Sequence, residues 1–153
     1  LDRLFPKSKI FSKYWYGYIS ENQTHEVDAI QGAFFFTRKK VLDDVGWFDE
    51  DYFLDAEDID LSWKIKDKGY KNIYFPKISI THIKGATKGN NKKSFKDISL
   101  EEKIKYRLSG VNSMEIFYKK RLWNSYPLIL NYLVLLGIKL LKVIRITKTI
   151  LAN

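Results

Sequence analysis

Residues 55–70 read DAEDIDLSWKIKDKGY, and the way this stretch folds decides the reading of the whole chain. Four carboxylates, Asp55, Glu57, Asp58 and Asp60, fall within six residues of a protein whose formal net charge is +9. Acid gathered in this way either opens a helix or holds a metal, a proton or a sugar. Ile59, Leu61, Trp63 and Ile65 alternate with polar residues, which is a strand signature. Against that, Asp55 suits an N-cap, with Asp58 three residues on in the capping-box position. Carboxylates crowd the first turn and lysines the last, as the helix dipole prefers. Gly69 is a natural C-cap. These end signals outweigh the alternation, and the stretch is expected to be a helix over 56–68.

The flanking sequence reads as alternating strands and helices. Residues 28–37 are expected to form a strand, because Phe34, Phe35 and Phe36 make a continuous apolar run, as in a strand buried on both faces. Gly32 within it signals a bulge or a close approach by a ligand. A short helix over 38–45 stops at Gly46. After the acidic helix, KNIYFP reads as a strand ended by Pro76, and KISITHI as a second strand with Ile78, Ile80 and His82 on one face. KGATKGNNKKSF is a polar loop. Residues 99–122 form a long helix with Gly110 as its weak point. Pro127 opens a last helix over 127–149.

Composition sets further bounds. A chain of 153 residues is about one domain, and 45% hydrophobic residues supply a real core. With no cysteine, disulfides and thiolate metal sites are excluded. The first residue is Leu rather than Met, which suggests a chain that starts inside a longer protein. After Glu115 there is no Asp or Glu, while seven Lys or Arg follow. Such a tail favours an anionic partner. YPLILNYLVLLGI is strongly apolar but ends at Lys139, short of the roughly 20 apolar residues of a spanning helix. Lys139, Lys142, Arg145 and Lys148 recur every three residues and are expected to make one basic face. Residues 123–153 therefore read as an amphipathic tail lying on an anionic membrane surface, or packing on protein.

The acidic cluster has two chemical readings, helix capping or a positioned general base. Calcium binding of the EF-hand type is set aside, because the glycine at position six and the glutamate at position twelve are lacking. His82 is either a structural histidine or, at a strand end before a Gly-containing loop, a ligand. Tyr14, Trp15, Tyr16 and Tyr18 would allow nucleic-acid stacking, but the central acidic box argues against a nucleic-acid partner.

The ordered run VDAIQGAFFFTRKKVLDDVGWFDEDYFLDAEDIDLSWKIKDKGYKNIYFPKISITHIKGAT resembles the C-terminal half of a glycosyltransferase family 2 catalytic domain of the GT-A fold, rhamnosyltransferase-like. The family order is a strand with Gly-Ala, a basic pair, vGxFDE, aromatic-Phe, an acidic EDxDL box, Gly-Tyr, a strand ending in Pro, and a strand ending in His before Gly and Ser or Thr. All of these are present across 28–87.

That resemblance implies an α/β fold. Residues 1–122 would be the C-terminal, acceptor-side part of a Rossmann-like mixed sheet with flanking helices, followed by the basic amphipathic helix. It implies an inverting transferase working from a nucleotide-diphosphate sugar donor to a saccharide or lipid-linked acceptor in bacterial cell-surface polysaccharide synthesis. Rhamnose is the donor sugar this resemblance would first suggest.

Asp58 falls on the family's catalytic base and Glu57 on its partner. Gly32 and Ala33 line the donor sugar pocket. Phe53, Asp55, Trp63 and Lys64 are placed on the substrate. Lys64 stands where many relatives carry Arg, which loses the planar fork that grips phosphate. His82 falls on the residue that assists a divalent metal, Mg²⁺ or Mn²⁺. Asp60 is expected to be structural and Leu61 to be core. YRLSGVNSMEIFYKK faintly resembles RNxxxFxRK, making Arg107, Asn112, Lys119 and Lys120 candidates for phosphate or membrane contact.

The donor-binding half and its Asp-x-Asp metal ligand precede these motifs in the family and are not found here. The chain is therefore expected to be inactive alone, cytoplasmic, and peripheral on the inner face of the cell membrane. The alternative is a non-catalytic membrane- or polymer-binding module derived from a transferase half.

Overall fold

The computed structural model describes residues 1–82 and 98–152. The expected polar loop at 84–95 lies outside them, as does the end of the KISITHI segment. Helix α1 spans Lys39–Val45, α2 Glu57–Asp67, α3 Leu100–Phe117 and α4 Leu128–Leu151. Two strands, β1 at His25–Glu26 and β2 at Ile73–Tyr74, pair antiparallel with His25 opposite Tyr74 and Glu26 opposite Ile73. The chain divides into two compact units. One holds residues 1–47 and 61–81, the other residues 48–60 and 82–153.

The stretch at 55–70 is helical, as its end signals require. Leu61 and Ile65, four apart, are both buried, while Trp63 is exposed, so burial follows the helical period rather than the strand alternation. Gly69 ends the helix at φ +83°, with its amide on the Lys66 carbonyl and the Tyr70 amide reaching back to Ile65. The start lies one residue later than expected. The Asp60 amide closes the first turn on the carbonyl of Ala56, so Ala56 occupies the N-cap position and Asp55 precedes it.

In the first unit, α2 is tied to two extended segments through buried polar groups. The Ile30 amide donates to Ser62 Oγ at 3.0 Å. Asn72 Nδ2 donates to the carbonyls of Ser62 and Asp28 at 3.0 and 3.2 Å. Asp28 also takes the Lys66 ammonium and the Tyr16 hydroxyl. Lys64 Nζ donates to the Trp47 carbonyl at 2.6 Å, just past the end of α1. Gly17 is required by close approach, since a Cβ there would stand 2.2 Å from the Pro6 carbonyl oxygen.

The strand expected over 28–37 is not formed. Gly32–Phe34 is a 3₁₀ turn, and Phe34 and Phe36 are 50% and 86% exposed rather than buried on two faces. Phenylalanines in a row make a buried strand only if other strands flank them, and the described sheet has two strands of two residues each. Residues 77–82 likewise form no strand, with Ile78 and Ile80 exposed.

The second unit is built on the α3–α4 hairpin. Ser99 and Glu102 form a capping box that starts α3. The helix passes Gly110 without a break, and its irregularity comes later, in a π-helical turn at Tyr118–Leu122 followed by a 3₁₀ turn at Trp123–Ser125. Buried Asn131 holds the connection, accepting from the Tyr118 hydroxyl at 2.7 Å and donating to the Trp123 and Tyr126 carbonyls. Lys142 Nζ pairs with Glu115 at 2.6 Å, and Arg145 Nη1 donates to the Arg107 carbonyl at 3.0 Å. The expected continuous basic face on α4 is therefore divided. Lys142 and Arg145 are drawn to α3, the one to the Glu115 carboxylate and the other to the Arg107 carbonyl.

Candidate active site

The segment before α2 is pinned in the second unit by a series of charged and hydroxyl contacts. Asp60, fully buried, receives Arg121 Nε on Oδ1 at 2.7 Å and Nη2 on Oδ2 at 3.0 Å. This two-point grip suits the planar guanidinium. Tyr52 donates its hydroxyl to the same carboxylate at 3.2 Å. Burial, and then the Asp60 charge, raise the Tyr52 hydroxyl well above the usual phenol range. Asp60 thus has the structural role expected of it. Lys120 Nζ bridges Asp49 and Asp51, and Ser109 Oγ on α3 donates to Asp55 at 2.6 Å.

The π-turn makes this possible by presenting Lys119, Lys120 and Arg121 to different carboxylates in succession. Lys119 binds Glu115, Lys120 binds Asp49 and Asp51, and Arg121 binds Asp60. Lys119 and Lys120, candidates for phosphate or membrane contact, are instead paired with Glu115 and with Asp49 and Asp51.

Between the anchored residues Asp55 and Asp60 lies Ala56 at φ +69°. A non-glycine residue in this left-handed region costs on the order of 1–3 kcal/mol and persists where its surroundings over-determine it. Here a bonded carboxylate stands on each side. The next two residues are Glu57 and Asp58, both partly buried, and Asp58 Oδ1 accepts the Ile59 amide at 2.8 Å. Their charges sit at the N-terminal end of α2, where the helix dipole favours anions. The strained turn therefore delivers two carboxylates in fixed positions, the condition a general base must meet.

Phe53, Asp55, Glu57 and Asp58 are brought together in the second unit. Phe53 is half exposed, with Lys105 Nζ 4.1 Å above its ring and Tyr106 edging it at 5.8 Å. It lines a cleft of about 390 Å³ with Asp51, Ser109, Asn112, Ser113, Glu115, Ile116, Lys119 and Lys142. Glu57 and Asp58 are not among these lining residues. Lys119 and Lys142 hold the Glu115 carboxyl below the usual carboxylate range. Gly32, Ala33, Trp63 and Lys64 belong to the first unit. Gly32 and Ala33 are exposed on the 3₁₀ turn, and the Lys64 ammonium lies on the Trp47 carbonyl.

His82 is exposed. Among the described residues no three His, Asp or Glu side chains converge so as to hold a metal ion. Ser109, Glu115 and Arg121 had no place in the sequence reading of the site. The signal for Arg121 was present in the lone guanidinium at the end of a basic run, facing an acidic segment some 60 residues earlier.

Comparison with known proteins finds similarity to one class, the glycosyltransferases, over part of the chain. Over 71 residues, 46% of this chain, it is 30% identical to the N-acetylglucosaminyl-diphospho-decaprenol L-rhamnosyltransferase of Mycobacterium tuberculosis, in both the CDC 1551 and H37Rv strains. The match covers 23% of those proteins, so the chain spans about a quarter of the length of the curated relatives it matches. The chain is a distant, glycosyltransferase-like relative of that enzyme over part of its length. No protein-family model matches the chain, and no solved structure does.

Proposed function

We propose that this chain carries the acceptor side of an inverting family 2 glycosyltransferase of the GT-A fold, acting from a nucleoside-diphosphate sugar. The observation that carries the reading is the 71-residue similarity to a rhamnosyltransferase. The strained turn before Glu57 and Asp58 supports it. The relative's name suggests L-rhamnose as the donor sugar and a polyprenyl-diphosphate-linked saccharide as the acceptor. An acceptor of that kind would keep the reaction at a membrane surface, which supports reading it at the inner face of the cell membrane.

In this mechanism an acceptor hydroxyl lies against the Asp58 carboxylate. Asp58 takes the hydroxyl proton as the oxygen attacks the anomeric carbon from the side opposite the diphosphate. The new C–O bond forms as the bond to the leaving phosphate oxygen breaks, and the configuration inverts. The Ile59 amide holds Asp58 in position, and Glu57 positions the acceptor or tunes the base. Phe53 offers an aromatic face to the acceptor. Gly32 and Ala33, without bulky side chains, would leave room for a donor sugar. A bound Mg²⁺ or Mn²⁺ would neutralise charge on the leaving diphosphate, with His82 as one ligand.

Asp58→Asn keeps the shape of the side chain and removes the base. In the full-length enzyme, with a nucleoside-diphosphate L-rhamnose donor, turnover is expected to fall at least about 100-fold. Acceptor binding, read from KM, should change little. Near-normal turnover would place the base elsewhere. A wild-type enzyme that transfers from no nucleoside-diphosphate sugar would favour the non-catalytic module.

A further inference from the structure

Helix α4 packs its polar side inward and leaves an apolar side uncovered. Asn131, Ile138 and Thr149 are buried, and Lys142 and Arg145 bond to α3. At about 100° per residue these five lie on one face. The opposite face carries Ile129, Leu133, Leu136, Leu140 and Ile144, at spacings of three or four residues, and all of them are exposed. Leu133 and Leu140 are 58% and 56% exposed, values far from those of a packed core. A helix of 24 residues is about 36 Å long, so the stripe is long enough to mark an interaction surface.

We propose that this outward face of α4 is a docking surface for an anionic lipid bilayer, with the helix lying along the interface. The charge around the stripe selects that occupant. Lys139 and Lys148 stand on its two flanks, both exposed, and neither has an ion pair among the described residues. No Asp or Glu follows Glu115. A second copy would bring the same lysines against these and repel them, whereas anionic headgroups neutralise them.

The aromatic side chains agree with an interface. Tyr126 and Tyr132, both exposed, lie at the N-terminal end of the helix, with Trp123 edge-on to Tyr132 at 6.0 Å. Among the described residues no helix is long and apolar enough to cross a membrane, and Lys139 interrupts the apolar run midway. The surface contact is therefore made by the apolar stripe, with Lys139 and Lys148 setting the preference for negative lipid. Lys142 and Arg145 take no part. This inference stands apart from the transferase reading.

The test is co-sedimentation of the full 153-residue chain with two kinds of vesicle, phosphatidylcholine alone and phosphatidylcholine mixed with phosphatidylglycerol. The chain is expected to partition at least about tenfold better into the mixed vesicles. Leu136→Glu with Leu140→Glu should lower partition into both by at least about tenfold. Lys139→Glu with Lys148→Glu should remove only the preference for the anionic vesicles. Far-UV circular dichroism checks the helix content of each variant, and Leu136→Ser with Leu140→Ser serves if the glutamates disturb it.

Two results overturn the proposal. In one, the leucine variants sediment with vesicles as the wild type does. In the other, the wild type ignores both vesicles but forms a dimer in sedimentation velocity that the leucine substitutions dissolve, showing that a second copy covers the stripe.

Discussion

Arg121 is the residue on which the acidic segment depends. Its guanidinium is the two-point partner of the buried Asp60 carboxylate. Removing one member of a buried pair leaves the other charge uncompensated, at about 3–5 kcal/mol. Arg121→Met is expected to lose stability on that scale in urea unfolding. Asp60→Asn with Arg121→Met should recover much of the loss, because no buried charge remains and Tyr52 keeps an acceptor. A second residue-scale effect is pH dependence at Tyr16. Burial, and then its hydrogen bond to Asp28, push the Tyr16 hydroxyl from 10.0 up to about 12. The folded state holds this proton more tightly, so the associated stability is present below pH 10 and is lost as pH rises toward 12. Asp28 runs the other way. Its bonds to Lys66 and Tyr16 lower its pKa, so its contribution is present above 3.8 and is lost as pH falls through the depressed value. Urea midpoints measured against pH should show an alkaline loss in the wild type that Tyr16→Phe reduces, with Tyr52 contributing to what remains.

At the scale of elements, local signals were sufficient for helices and only partly so for strands, since β2 at Ile73–Tyr74 falls inside the expected KNIYFP strand while residues 28–37 and 77–82 form none. The helix expected over 38–45 is found at Lys39–Val45, and that expected over 56–68 at Glu57–Asp67. The helices expected over 99–122 and 127–149 are found as Leu100–Phe117 with its π-turn, and as Leu128–Leu151. Their ends are written in Gly46, Gly69, Ser99 and Pro127, whose effects reach only a few residues along the chain. Residues 28–37 and 77–82 carry strand-like patterns, but a strand exists only where another pairs with it, and that partner is not a local property. Gly110 was read as a weak point and is an ordinary helical position. A Cβ there would sit 3.5 Å from Asp55 Oδ2 and 4.0 Å from Arg145 Nη1, ordinary contact distances. Gly110→Ala is therefore expected to stabilise the protein by about 0.5–1 kcal/mol, the helix-propensity difference, seen as a rise in Tm.

At the scale of the molecule, function rests on how charge is distributed. The seven cations that follow Glu115 suggested an anionic partner, yet five of them are engaged with the protein. Lys119, Lys120, Arg121 and Lys142 pair with carboxylates, and Arg145 with a carbonyl. Lys139 and Lys148 are left beside an apolar stripe, so the vesicle measurements should report hydrophobic contact first and charge second. The sequence alone determined the helices, the caps that end them and the place of the acidic cluster at a helix start, since each depends on neighbours within a turn or two. Only the tertiary structure decided that Asp55 turns to Ser109, that Ala56 takes the N-cap position in a left-handed conformation, and that Asp60 is buried against Arg121. It alone decided, too, that α4 turns Lys142 and Arg145 inward and leaves its leucine stripe exposed between Lys139 and Lys148. Those outcomes join residues separated by tens of positions. They depend on which carboxylate meets which cation once the helices have packed, and no periodicity along the chain records that.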